Sequence, residues 1–96
     1  MMVDYEEFRD KSQRTLVVFL HTELTLGRTF MQSALLAENA GHTDHYVRAK
    51  RNAVKTAETV RHFMSQVADR TVRIEIDRQL AELDRLISPR PNRAAG

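Results

Sequence analysis

The sequence predicts an all-α fold: a three-helix antiparallel bundle with a long N-terminal helix. Apolar residues recur at a spacing of three and four in three successive segments, as they do along one face of an α-helix. Glycine and proline are scarce, at three and two of 96 residues, and most of them fall between or after these segments. We therefore expect a single domain over residues 1–88, with helices at about 4–40, 44–67 and 70–87, followed by a flexible basic tail at 89–96.

The first helix is expected to begin near Asp4 and to end near Ala40. Asp4, Glu6 and Glu7 complement the positive end of the helix dipole, and Gly41 is a typical C-terminal stop. Two adjacent apolar stripes follow this helix: a main one (Tyr5, Phe8, Leu16, Phe19, Leu26, Phe30, Ala34 and Ala37) and a second one (Val17, Leu24, Met31 and Leu35). Together they span roughly half the circumference, more than one neighbour can cover, so this helix should be the central element.

Gly27 is the one glycine inside a predicted helix. We interpret it as a point of close helix approach. The alternative is a break at Gly27, which would fold the first helix back into a four-helix bundle.

The second helix should start at Thr43 or Asp44, either of which can cap it. Its apolar residues keep an almost unbroken three-four spacing: Tyr46, Ala49, Ala53, Ala57, Val60, Phe63, Met64 and Val67. The next apolar residue, Val72, comes five positions later and therefore out of phase. This slip predicts a short turn at residues 68–71, with Asp69 as a possible cap for the third helix.

Self-association is expected, because a single core in a chain of this size gives modest stability. The N-terminal end of the first helix, including Tyr5 and Phe8, should extend past the second helix without a cover inside the chain. A symmetric partner commonly covers such a stripe, which predicts a homodimer.

Composition narrows the class of protein further. There are no cysteines, which excludes disulfides and thiolate zinc sites and favours the cytoplasm. The N-terminus is acidic and the longest apolar run, residues 16–20, is far too short for a signal peptide or a membrane span. The formal charge of +2 is small, so charge alone does not indicate a nucleic-acid partner.

Two histidines and a run of basic residues surround the predicted hairpin turn. His42 and His45, with Glu38 one turn earlier, are weak candidates for a metal site, but a loop HxxH offers too few oriented ligands. We expect no metal and no cofactor. Arg48, Arg51 and Lys55 share a stripe opposite the apolar face of the second helix, and such a stripe can follow a phosphate backbone.

Glu23 lies within the main apolar stripe of the first helix, where an unpaired carboxylate is costly. Antiparallel pairing around the turn places it level with Arg61, so we predict a structural Glu23–Arg61 ion pair. No phosphate loop, nucleophile motif or paired-carboxylate spacing indicates an enzyme.

The hairpin sequence at residues 34–57 is loosely similar to the antiparallel helix pairs of tetratricopeptide repeats and of microtubule-interacting-and-transport domains. We interpret the likeness as common helix-packing geometry, since one hairpin does not build a repeat array. The expected function is a non-enzymatic protein–protein interaction or scaffold module with an unidentified protein partner. The alternative is a small nucleic-acid-associated or regulatory protein that uses the basic stripe.

Overall fold

The computed structural model describes residues 5–89, and within them it contains three α-helices. These are α1 (Tyr5–Asn39), α2 (Thr43–Phe63) and α3 (Arg70–Ile87), with a short 3-10 turn at Met64–Gln66. The predicted all-helical fold is confirmed for this part of the chain. The predicted tail lies almost wholly outside the described residues, as does Asp4.

The turn between α1 and α2 is built on Gly41, which has a positive φ of 79°. The amide of His42 donates to the carbonyl of Ala37 at 2.8 Å and that of Gly41 donates to Glu38 at 3.1 Å. This pair of bonds is the Schellman motif that ends many helices. The expected side-chain cap of α2 is wrong: Thr43 is already helical, and His42 holds the capping position without a side-chain bond.

The second helix ends earlier than the sequence predicts. α2 stops at Phe63, the 3-10 turn follows, and Val67 is extended, with φ −72° and ψ 119°. Val67 is buried in the core although its backbone is extended. Its place in the three-four apolar spacing therefore does not mean that it is helical. The predicted cap of α3 is confirmed, since Asp69 Oδ1 accepts from the amide of Val72 at 3.1 Å.

The helices run up, down and up. Contacts between α1 and α2 join early residues of one to late residues of the other: Phe19 meets Phe63 edge-on, with ring centroids 6.1 Å apart. Gln13 exchanges two hydrogen bonds with the segment after α2, donating to Gln66 O at 3.0 Å and accepting from the amide of Ala68 at 2.8 Å. α2 is thus antiparallel to α1, and α3 returns parallel to α1.

The buried side of α1 includes members of the predicted stripes and one residue that lies between them. Leu24 and Met31, both from the second stripe, are 0 % and 2 % exposed, and Leu20, which belongs to neither stripe, is fully buried. Phe19 and Leu26, assigned to the main stripe, are each 41 % exposed. Because α2 and α3 both pack against α1, the inner edges of the two stripes and Leu20 between them are buried, whereas Phe19 and Leu26 at the outer edge of the main stripe remain partly exposed. The other core members are Ala34, Ala49, Ala53, Ala57, Val60, Val67, Ile76, Leu80, Leu83 and Ile87.

Gly27 lies at a point where α2 and α3 both approach α1 closely. A β-carbon built on it would lie 2.5 Å from Cδ2 of Leu83 in α3 and would also clash with Oγ1 of Thr56 in α2. α1 continues unbroken through this position. The prediction of a close approach is confirmed, and the break that would give four helices is not formed.

The N-terminal end of α1 extends past its neighbours, as predicted. Gln13 is hydrogen-bonded to the segment after α2, while residues 6–12 before it are all exposed. Phe8 is 60 % exposed. The side chain of Tyr5 is outside the described part of the structure.

Candidate functional site

The side of α1 that faces away from α2 and α3 carries an unusual surface, which we call the threonine face. It consists of seven exposed residues at successive steps of three and four: Thr15, Val18, Thr22, Thr25, Thr29, Gln32 and Leu36. This is the spacing of the a and d positions of a coiled-coil heptad. Continued toward the N-terminus, the same pattern passes through Lys11 and reaches Phe8.

The most exposed large apolar side chains of the described chain lie on this pattern. Leu36 is 71 % exposed, Val18 is 64 % exposed and Phe8 is 60 % exposed. The next value belongs to Ile74 of α3, at 58 %, and the neighbours of Ile74 are charged. Single exposed apolar residues are ordinary, but several in register along one helix indicate a surface for association.

The threonine face also lacks charge. Between Thr15 and Leu36 the sequence contains two charged residues, Glu23 and Arg28, and both are partly buried on other sides of α1. In a chain with 29 % charged residues, solvent-exposed helical surface ordinarily carries more charge than this. The exposed side of α1 therefore resembles a lightly polar interface core more than a solvated surface.

Two of the threonines direct their hydroxyl groups back to their own helix. Thr15 Oγ1 donates to the carbonyl of Lys11 at 3.1 Å, and Thr22 Oγ1 donates to that of Val18 at 2.9 Å. Each hydroxyl has thereby used its one donor. An approaching partner can cover these side chains without stranding an unpaired donor, which lowers the cost of burying them.

The two histidines of the hairpin lie at the turn between α1 and α2. His45 Nε2 shares a hydrogen bond of 2.9 Å with Ser33 Oγ of α1, which ties the start of α2 to the end of α1. His42 and Glu38 are exposed. Within residues 5–89, no three His, Asp or Glu side chains come together in a way that would hold a metal ion.

The predicted basic stripe lies on the outer surface of α2. Arg48, Arg51 and Lys55 are all exposed. None of the ion pairs found among the described residues involves them. The stripe therefore faces solvent, while Glu58 one turn later lies at its end.

Arg61 has a different partner from the one predicted. Its Nη2 donates to both carboxylate oxygens of Asp84 in α3, at 2.8 and 2.9 Å, so the predicted Glu23–Arg61 pair is wrong. The antiparallel register is as expected, but Arg61 lies on the side of α2 that faces α3. Glu23 is partly exposed, so water solvates its carboxylate and no buried partner is required.

The outer surface of α3 carries a dense charge cluster. Arg78 donates to Glu75 at 2.5 and 3.0 Å and to Glu82 at 3.0 Å. These bonds from Arg78, followed by one from Gln79, lower the pKa of the Glu75 carboxyl to about 2. The carboxylates in turn raise the pKa of Arg78. These charges are exposed and paired with each other, which is typical of a solvated helix surface.

Sequence reasoning missed the threonine face because threonine counts as polar when apolar stripes are sought. The signal that would have found it is the absence of charge at successive three-four steps from Thr15 to Leu36. Of the residues predicted for interaction, Phe8 lies on the extension of this face, whereas the basic residues lie on α2.

No helix in the described residues combines the length and the apolar character needed to cross a membrane. Comparison with protein-family models, with curated proteins and with solved structures returned no match.

Proposed function

We propose that this protein is a non-enzymatic helical interaction module and that the threonine face of α1 is its docking surface. The observation that carries the proposal is the position of Phe8, Val18 and Leu36, the most exposed large apolar side chains described, along one heptad pattern that carries no charge from Thr15 to Leu36. A solvated helix places charge at such positions. A partner that supplies an apolar or lightly polar helix would remove this surface from water.

The mode of binding that fits the surface is side-by-side helix packing. Threonine and valine are short, so a second helix can approach α1 closely along its exposed side. Thr15 and Thr22 need no new donor partner on burial. The interaction is then driven by the apolar area covered, and it should respond weakly to salt.

A photocrosslinking experiment in the cells that make the protein tests this proposal. A photoactivatable phenylalanine analogue is placed at Thr25, in the middle of the threonine face, and at Glu58, exposed on α2, as the matched control. We expect a discrete covalent adduct from position 25 that is missing from position 58. Equal labelling at both positions, or no adduct at position 25, would overturn the proposal.

The second candidate function is nucleic-acid association through Arg48, Arg51 and Lys55. The observation that favours it is that these three cations are exposed on one stripe without an acidic partner among the described residues. Neutralising about three phosphates gives an affinity that falls steeply with salt, by a slope of roughly −3 in log–log form.

Fluorescence anisotropy with a labelled duplex distinguishes this candidate from the first. Binding that weakens strongly between 50 and 200 mM salt, and that is lost in R48Q/R51Q/K55Q, would support nucleic acid. Absence of binding at 50 mM salt would remove this candidate and leave the threonine face untouched.

A further inference from the structure

We infer that the partner of the threonine face is a second copy of this chain, packed with its α1 antiparallel to the first. The inference rests on the proposed function and names its partner. In the resulting symmetric dimer, each copy presents the same surface, and α1 of each copy lies along α1 of the other.

The length and pattern of the face favour a second copy. From Phe8 to Leu36 the pattern extends about 42 Å at the rise of an α-helix. Apart from Lys11, the residues of this pattern are uncharged. A partner must therefore offer a helix of similar length whose facing residues are mostly uncharged and spaced by three and four. α1 itself has 35 residues and this pattern, and a self-complementary patch is what a two-fold symmetric interface requires.

Charge on the heptad pattern selects the antiparallel direction. Lys11 is the charged residue of the pattern between Phe8 and Leu36, and it lies near the N-terminal end. The last turn of α1 contains no basic residue and is the negative end of the helix dipole. Antiparallel packing places Lys11 of one copy near the negative end of the other, whereas parallel packing places Lys11 beside Lys11 of the partner subunit.

The heptad assignment gives the register. In antiparallel coiled coils, a positions of one helix pack in layers with d positions of the other. Thr22 then faces the partner's Thr25, Val18 faces the partner's Thr29, and Thr15 faces the partner's Gln32. The two-fold axis passes between Thr22 and Thr25, so both positions lie close to their own copies and Thr15 does not.

The absence of native cysteine makes disulfide trapping a direct test of this register. The purified full chain is oxidised as three single variants: T25C beside the axis, T15C far from it, and E58C as an exposed control on α2. We expect a covalent dimer from T25C alone, and a covalent dimer from T15C only when it is mixed with Q32C. Trapping of T15C with itself as readily as T25C would show a parallel dimer and overturn the inference.

Sedimentation equilibrium of the cysteine-free protein measures the association itself. We expect a dimer for the wild-type chain, a monomer of unchanged helix content for V18E/T25E, and a dimer for the control V47E/T71E, which adds the same charge at exposed sites on α2 and α3. A wild-type monomer at every concentration would overturn the inference. If the in-cell adduct at position 25 then has a mass other than that of a dimer, the proposed docking function still holds with a different partner. If no adduct forms, both proposals fail.

Discussion

The two faces of α1 differ in the size and spacing of their apolar side chains. The buried face has its large apolar residues, Leu20, Leu24 and Met31, interrupted by Gly27, where side chains of α2 and α3 both approach the backbone of α1. The opposite face has small uncharged residues in regular steps, and its large apolar side chains are spread far apart at positions 8, 18 and 36. A core needs volume and shape complementarity, whereas a surface that must remain soluble before it finds a partner needs a modest apolar area.

Truncation of one leucine on the buried face should give the largest effect. Leu24→Ala removes a fully buried side chain and should lower the free energy of unfolding by about 2–5 kcal/mol through lost burial and a residual cavity. Val18→Ala on the threonine face should change it by no more than about 0.5 kcal/mol in dilute solution, where any dimer is dissociated. Urea unfolding followed by circular dichroism measures both. Equal losses for the two variants would contradict the division of α1 into two faces.

Adding side-chain volume at Gly27 should lower the free energy of unfolding nearly as much as removing side-chain volume at Leu24 does. Gly27→Val puts methyl groups into the space of Thr56 and Leu83 and should cost about 3 kcal/mol by overpacking. Gly27→Ala should cost less, because better helix propensity returns about 1 kcal/mol.

The control for this prediction is Leu83→Ala, alone and combined with Gly27→Val. Because Cδ2 of Leu83 is the nearest atom of α3, the double variant should be more stable than the sum of the single losses implies. Strict additivity would show that the clash lies elsewhere.

The sequence was enough to predict the number, order and direction of the helices, since glycine position and apolar spacing determine them. It was not enough to predict which side of α1 is buried. Two apolar stripes cover half of that helix, and which residues are buried depends on where α2 and α3 lie, as Leu20 shows by its full burial between the stripes. The end of α2 was missed for a related reason: Val67 continues the spacing while its backbone is extended.

The surface features of the chain were also only partly predictable from the sequence. The side of α2 on which Arg61 lies determines whether it meets Glu23 or Asp84, and apolar spacing alone does not specify that side. The threonine face was missed because its pattern consists of residues that neither charge nor hydropathy singles out. The basic stripe, by contrast, was predictable because exposed cations on a helix follow directly from its period.

The Arg61–Asp84 pair should contribute a small stabilisation. The two side chains are 51 % and 46 % exposed, so solvent weakens their attraction, although two hydrogen bonds hold the geometry. A double-mutant cycle with Arg61→Met and Asp84→Asn should give a coupling of about 0.2–1 kcal/mol. The matched cycle of Arg61→Met with Glu23→Gln should give none, and coupling to Glu23 in place of Asp84 would contradict the observed pairing.

The smallest expected effect concerns the pKa of Glu75 in the charge cluster on α3. This cluster consists of paired charges, whereas the threonine face has none between Thr15 and Leu36. Bonds from Arg78 and Gln79 lower the pKa of Glu75 from 4.5 to about 2. A carboxyl whose pKa is lower in the folded than in the unfolded chain stabilises the fold. This contribution is complete when the pH is above the unfolded-state pKa, and it is lost as the pH falls from about 4.5 toward about 2. NMR titration of the Glu75 side chain should show the low value directly.

Arg78→Gln should return the Glu75 pKa toward its ordinary value, because it removes the largest cause of the shift. Arg85→Gln, which removes an exposed arginine from the last turn of the same helix, should leave it where it was. An equal rise in both variants would mean that the net positive charge of the chain, and not the Arg78 hydrogen bonds, lowers the pKa. The hydrogen-bond partners of Glu75 lie on α3, and the charge of His21 on α1 makes a smaller contribution to the low pKa. V18E/T25E adds acidic side chains three residues before and four residues after His21, so it should change the titration of Glu75 by less than Arg78→Gln does. A larger change in V18E/T25E would contradict the assignment of Arg78 as the main cause of the low pKa.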